Sequence, residues 1–271
     1  MSLPTPAPSS AALLTGASGG IGAAIARELA ARGHGIVLVA RREERLVALA
    51  AELTDRHDVR AETLPCDLSD ADSRSRLGER IAALGLEVEI LVNNAGFATG
   101  GPFHQSDPDR ELEQVRVDVE AVVALTSAFA PAMVARRRGA ILNVSSTAAF
   151  QPMPYSAGYG AAKAYVLSFS EALHQELHGH GITVTALCPG PVKTDFWQIA
   201  DWKVAGGRSF EEAIPGTTIA PEAAARAGVR GLESGKRVVV PGLPMRWAMD
   251  ASRYIPHAVK LPALEWFMRR R

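Results

Sequence analysis

A chain of 271 residues, 47% apolar and 21% charged, is long enough for one large domain with a sizeable core and has ordinary globular composition. Lys plus Arg equals Asp plus Glu at 29 each, so the basic excess that marks a nucleic-acid binder is missing. The two cysteines, Cys66 and Cys188, are far apart and in no metal-ligand spacing, which argues against a disulfide scaffold and points to a reducing, cytoplasmic setting.

The predicted elements alternate in type along the chain. Residues 1–10 are rich in Pro and Ser, lack the charged and apolar regions of a signal peptide, and read as a disordered lead to a domain over 11–245. Ala11–Thr15 is a short apolar run ending in a glycine-rich turn, and Ile21–Ala31 follows with helical periodicity. Ile36–Ala40 is continuous and β-branched, as a strand buried on both faces should be. Arg42–His57 reads as an amphipathic helix, Ala61–Pro65 leads into Cys66-Asp67, and Ala71–Leu84 is helical again. Ile90–Val92 is a strand ending in Asn93-Asn94-Ala95-Gly96, and one long helix covers Asp109–Arg137. Ala140–Val144, Thr183–Leu187 and Arg237–Pro241 complete the strands, with a helix over Tyr159–His178. Such alternation implies βαβ units with right-handed crossovers. The expected fold is therefore α/β, a single domain with a Rossmann-type doubly wound parallel sheet and helices on both faces.

No run of roughly 20 apolar residues suits a membrane span. The nearest, Val117–Ala135, carries Asp118, Glu120 and Pro131 and reads as a buried or interface helix. Two regions fall outside the alternation. Residues 193–221 are irregular, hold Phe196, Trp197 and Trp202, and form the expected substrate loop. The tail 246–271 mixes apolar residues with six basic and two acidic ones. Pro256 and Pro262 are expected to interrupt any long helix there. The tail is expected to pack over the cleft or across a subunit interface, with peripheral membrane contact as the alternative.

The turn Thr15-Gly16-Ala17-Ser18-Gly19-Gly20-Ile21-Gly22 lies between the first strand and the first helix. A strand-to-helix turn of this kind aims backbone N–H groups and a helix dipole at one spot that suits a pyrophosphate. The second strand runs into Arg41-Arg42, with no acid until Glu43. An acid there suits the ribose hydroxyl of NAD, and a base suits the 2′-phosphate of NADP. Arginine's planar fork fits phosphate oxygens, so the expected cofactor is NADP(H).

Tyr159-Gly160-Ala161-Ala162-Lys163 opens a predicted helix, where the phenol and the ammonium share a face. A free tyrosine ionises near a pH of about 10, and a nearby ammonium favours the phenolate, so its pKa is expected below that value. Such a tyrosine can exchange a proton with an alkoxide. Ser146 ends the preceding strand, where its hydroxyl can hold charge developing on a substrate oxygen. His174 and His178 share a helix face but lack the Glu placement of a zinc site and a third ligand, so no metal is expected.

Together these motifs resemble the short-chain dehydrogenase/reductase family. The match runs from about Ala11 to Thr194 and rests on Thr15-Gly16-x-x-x-Gly20-x-Gly22, Asn93-Asn94-Ala95-Gly96, Ser146, Tyr159-x-x-x-Lys163, and Pro189-Gly190 with Thr194. The resemblance implies a nicotinamide cofactor, proton relay through Tyr159 and Lys163, and a homodimer or homotetramer. It implies that Asp67 meets the adenine, that Asn93 lines the cofactor cleft, and that Pro189, Gly190 and Thr194 flank the nicotinamide. It extends the cofactor set to Ser18, Ile21, Leu68, Ala95, Gly96 and Val192, with Tyr159 and Lys163 also touching the cofactor. One position departs from the family: Asp118 stands where an asparagine linked through water to the lysine is usual, and is taken as a fourth catalytic residue.

The segments expected to flank the cleft carry Phe97, Phe103, Phe150, Met153, Tyr155, Phe196, Trp197 and Ile199. They favour a lipophilic carbonyl substrate. The expected function is an NADP(H)-dependent ketone or aldehyde reductase. An NAD(H)-dependent alcohol or hydroxysteroid dehydrogenase is the alternative enzyme, and a catalytically weak nucleotide-binding regulator the alternative of another class.

Overall fold

A computed structural model of the chain describes residues 3–194, 196, 217–252 and 254–269. Seven strands form one parallel sheet: β1 (Ser10–Thr15), β2 (Gly35–Ala40), β3 (Ala61–Pro65), β4 (Glu87–Asn93), β5 (Gly139–Val144), β6 (Ile182–Leu187) and β7 (Val238–Val239), in the order β3-β2-β1-β4-β5-β6-β7. Alternate strand residues enter opposite cores. Leu14, Ile36, Leu38 and Val92 pack with Ile25 and Leu29 of α1 (Gly20–Ala30) and Val229 of α8 (Pro221–Glu233). Leu13, Val37, Leu91 and Ile141 face the other way. Both faces are buried, which is why these strands read as continuous apolar runs rather than alternating ones.

The remaining helices are α2 (Glu43–His57), α3 (Ala71–Ser75), α4 (Leu77–Ala83), α5 (Pro108–Val115), α6 (Ala121–Arg136), α7 (Ala157–His178), α9 (Leu243–Ser252) and α10 (His257–Met268). The strand order reverses between β1 and β4, so a crevice opens at the carboxyl ends of those strands, the usual ligand position in an open α/β sheet.

Three expectations need correction. The lead is not loose: Leu3 packs on the core, Pro4 is buried, and Glu87 N–H donates to Ser9 O at 2.8 Å. The helix expected over 71–84 is two pieces that break at Arg76. The long helix is present over Pro108–Arg136, with a π-turn at Arg116–Glu120 that joins α5 to α6 and holds the buried Asp118. Pro262 does not interrupt α10 but lies within it, and Pro256 is the residue that separates α9 from α10.

Pro108–Arg136 is long and apolar enough to cross a membrane by length and composition. In this fold it lies against β4, β5 and α7, with Gln114 and Asp118 buried. Trp197, Ile199 and Trp202 lie outside the described residues.

Candidate active site

The glycine turn is built for close approach. Gly16 has φ of +65°, and a Cβ there would stand 2.8 Å from Ala95 Cα. A Cβ on Gly22 would stand 2.4 Å from Gly16 O, so only glycine lets α1 begin this close to β1. Thr15 Oγ1 accepts the N–H groups of Asn94 and Ala95, each at 3.0 Å, and Asn94 Nδ2 donates to Thr15 O at 2.9 Å. These bonds lock the ends of β1 and β4 together at the crevice.

A cleft of about 600 Å³ runs from this turn across the sheet. Gly16, Ser18, Gly20, Ile21, Ala95, Gly96, Ser146, Tyr159, Lys163, Pro189, Gly190, Val192, Thr194 and Phe196 all line it. Arg42 stands at its rim and donates to Ser18 Oγ at 3.0 Å. The glycine cradle, the N-terminus of α1 and a guanidinium beside them fit a dinucleotide's phosphates.

Ser146, at the end of β5, caps a short 3₁₀ turn, and its Oγ accepts Ala148 N–H at 3.1 Å. It also hydrogen-bonds the Tyr159 hydroxyl. Lys163 Nζ lies 5.6 Å from the centre of the Tyr159 ring and 3.1 Å from Asp118 Oδ2. Asp118 Oδ1 accepts Phe97 N–H at 3.0 Å, while Gln114 Nε2 donates to Phe97 O at 2.9 Å. The strap after β4 is thereby pinned at one residue from both sides. A Cβ on Gly96 would stand 2.9 Å from both Asp118 Oδ1 and Lys163 Nζ, so the strap passes directly over the ion pair.

The short chain dehydrogenase family pattern matches residues 10–203. The chain belongs to the short-chain dehydrogenase family. It is 34% identical over 245 residues to a very-long-chain 3-oxoacyl-CoA reductase of Anas platyrhynchos, covering 88% of this chain and 74% of that protein. A short-chain dehydrogenase from Sphingobium yanoikuyae in complex with NADPH superimposes with a TM-score of 0.78 at 35% identity, over 90% of this chain and 93% of that one. A bulky-bulky ketone specific alcohol dehydrogenase from Comamonas testosteroni does so at 0.75 and 29%, over 92% and 95%. The protein is thus an oxidoreductase of carbonyl and alcohol groups, and its family works through a nicotinamide cofactor.

Against that family frame, Asp118 is the site's departure. It is completely buried and pairs directly with the lysine. Burial works against the Lys163 ammonium, but Asp118 and Tyr159 more than offset it and hold its pKa above the ordinary value. Tyr159 differs from the sequence expectation. Burial raises its pKa above 10; Lys163 and Ser146 pull it down, and Asp118 pushes it up again. Burial is the largest of these effects and decides the direction, with the Asp118 carboxylate opposing part of the lysine's field at the phenol.

Several sequence-predicted residues fall elsewhere. Asn93 does not line the cleft: it is buried in the sheet, with Nδ2 donating to Asn143 Oδ1 at 2.9 Å and to Thr126 Oγ1 at 3.2 Å. Its neighbour Asn94 takes the cleft position. Leu68 is a core residue. Asp67 Oδ1 accepts the N–H and hydroxyl of Ser69, and its Oδ2 lies 4.0 Å from Arg41. Arg41 turns to Glu113 at 3.4 Å, away from the cleft lining, whereas Arg42 and Arg45 approach Gly19. Phe97 packs under the Arg110 guanidinium, Phe150 packs on the Leu167 and Cys188 core, and Tyr155 lines a separate groove with Phe103. Phe196 is the aromatic that reaches the site, 5.7 Å from the Tyr159 ring. Trp197 lies outside the described residues.

The tail packs over the cleft, one of the two placements expected for it, although none of its lining residues was singled out in the sequence. Met245, Ala248 and Met249 of α9 and Leu264, Phe267 and Met268 of α10 close it opposite Tyr159, together with the expected Met153. The signal was present as apolar residues three and four apart in the tail. His174 Nδ1–H donates to Val184 O at 2.7 Å, and among the described residues no group of three metal-binding side chains occurs.

Proposed function

We propose that this protein is an NADPH-dependent reductase of ketones or aldehydes bearing bulky apolar groups. The observation that carries it is the junction of a polar floor (Ser146, Tyr159, Lys163) with an apolar, methionine-rich roof in one cleft. Methionine adapts to irregular apolar shapes, which suits large and variable substrate arms. The relatives named for very-long-chain 3-oxoacyl-CoA and for bulky ketones support this substrate class. Arg42 beside the glycine turn, together with the NADPH bound by the Sphingobium relative, supports the 2′-phosphate.

A bound nicotinamide supplies hydride to the carbonyl carbon. Gly16, Ser18, Gly20 and Ile21 would hold its pyrophosphate, and Arg42 with Arg45 the 2′-phosphate. Pro189, Gly190, Val192 and Thr194 would flank the ring. Tyr159 gives its hydroxyl proton to the substrate oxygen as charge develops there. Ser146 donates to the same oxygen. Lys163 stabilises the phenolate left on Tyr159, and Asp118 keeps Lys163 charged and aimed through the strap. A tyrosine held above its ordinary pKa is protonated at neutral pH, the state from which it can give its proton in reduction.

The exposed apolar residues Leu112 and Val115 of α5 and Tyr165 of α7 support a homodimer or homotetramer packed on the long helices. The free, buried thiols of Cys66 and Cys188, the latter pushed up to about 12 by burial, support a cytoplasmic setting. The test is NADPH and NADH consumption over a panel of ketones graded in bulk. Preference for NADPH and for bulky apolar ketones is expected. Faster turnover of small charged keto acids, or of NADH, would overturn the reading.

A further inference from the structure

The two tail helices are apolar on both sides. Their inner sides roof the cleft. Their outer sides, with Tyr254 (89% exposed) and Ile255 of the link between them, carry Leu243, Trp247 (73%), Val259 and Trp266 (71%). A helix that only roofed a cleft would present polar residues outward. Phe103, 67% exposed, shares a shallow groove with Leu261 and Pro262 of α10 and extends the same surface.

Charge separates the candidate occupants. By sequence, residues 246–271 carry six basic residues against two acidic, while the rest of the chain has more acids than bases; of the six, Lys260 is buried, and Arg253, Arg270 and Arg271 lie outside the described residues. Arg246 and Arg269 are exposed within or beside the apolar face. Glu265, an acid on that outer side, is 3.7 Å from Arg269. A buried subunit interface is depleted of charge at its core. Exposed indole, phenol and guanidinium groups mixed on a short helix pair are what a lipid headgroup layer accepts.

We propose that the outer faces of α9 and α10 dock on an anionic lipid surface, which sets the cleft they roof against the bilayer. The docking rests on exposure and charge alone. Loading of the cleft with substrate from the bilayer rests in addition on the apolar-substrate reading above. Basic residues bring the face to the anionic surface, and the apolar side chains then enter it.

The test uses the full-length protein with vesicles of phosphatidylcholine alone and of phosphatidylcholine mixed with phosphatidylserine. Co-sedimentation is expected with the mixed vesicles, weakening as salt is raised. Brominated lipids should quench tryptophan fluorescence. Trp247→Glu with Trp266→Glu should abolish both signals while leaving kcat on a water-soluble ketone unchanged. Arg246→Glu, which leaves the apolar face intact, should weaken binding roughly fivefold or more. Three results would overturn the proposal: no co-sedimentation with either vesicle, binding that survives the double tryptophan variant, or a dimer in sedimentation equilibrium that the same variant splits, which would make a second copy the occupant. Binding without a preference for bulky ketones would keep the docking and remove only the loading.

Discussion

The floor of the cleft and its roof bury residues of opposite kinds. On the floor, Asp118, Lys163 and Tyr159 are polar, enclosed, and each fixed by named partners on different elements. On the roof, Met245, Met249, Phe267 and Met268 line the same cavity and bring no charge to it. Buried charge demands a partner at a set distance, so the floor tolerates little change. Apolar contact is non-directional and methionine is adaptable, so the roof can vary in shape. Chemistry is therefore assigned to the floor and substrate range to the roof.

The largest effect should come from breaking the floor's ion pair. Lys163→Met leaves the Asp118 carboxylate buried without its partner, a cost of about 3–5 kcal/mol in stability. Denaturant unfolding should show that loss, and turnover should fall with it. Adding Asp118→Asn should restore much of the stability but not the activity. A single variant as stable as wild type would mean that the pair is not charged.

Ser146→Ala should lower kcat by roughly one to three decades through a lost hydrogen bond to the developing oxyanion. Steady-state kinetics on any ketone that is turned over will show it, with KM little changed. A comparable fall in KM-limited binding alone would move Ser146 from chemistry to substrate docking.

Arg42→Ala should lower the NADPH-over-NADH preference by about one to two decades, the loss of one charged hydrogen bond to phosphate. Arg41→Ala should change it far less, because Arg41 points to Glu113 and Asp67. The reverse ranking would show that the side chains rearrange when the dinucleotide binds.

The subtlest test concerns pH. Oxidation of an alcohol needs the Tyr159 phenolate, so its rate should rise with pH through the tyrosine's raised pKa. Asp118→Asn removes the negative charge that pushes this pKa up, and the whole profile should move to lower pH. A merely structural role for Asp118 would lower the rate without moving the profile.

Much of this could be read from residue order, and the limits have physical causes. Buried parallel strands announce themselves as β-branched runs, and Tyr159 and Lys163 are neighbours on α7 whatever else happens. The contact of Asp118 with Lys163 joins residues from different helices and depends on the π-turn at Arg116–Glu120, which no local propensity signals. Asn93 and Asn94 exchanged roles because Asn93 ends β4 facing the sheet interior, while Asn94 lies past its end. Arg41 and Arg42 are equally placed in the sequence, and the start of α2 alone decides which turns to the glycine loop. Phe97 and Phe150 lie near cleft residues in the chain, yet each points into packing. For the tail the sequence leaves two placements open, cleft or subunit interface, and only the fold shows that residues more than eighty positions beyond Tyr159 line the cavity.

The central claim is that Tyr159 protonates the substrate oxygen during reduction. Tyr159→Phe keeps the ring, its contact with Phe196 and the cofactor's surroundings, and removes only the hydroxyl. General acid catalysis is worth typically 10²–10⁴-fold, so kcat for ketone reduction should fall by about that much while NADPH affinity, read by fluorescence titration, holds. A variant that keeps more than about a tenth of wild-type kcat with chemistry rate-limiting, against that expected loss, would contradict the account.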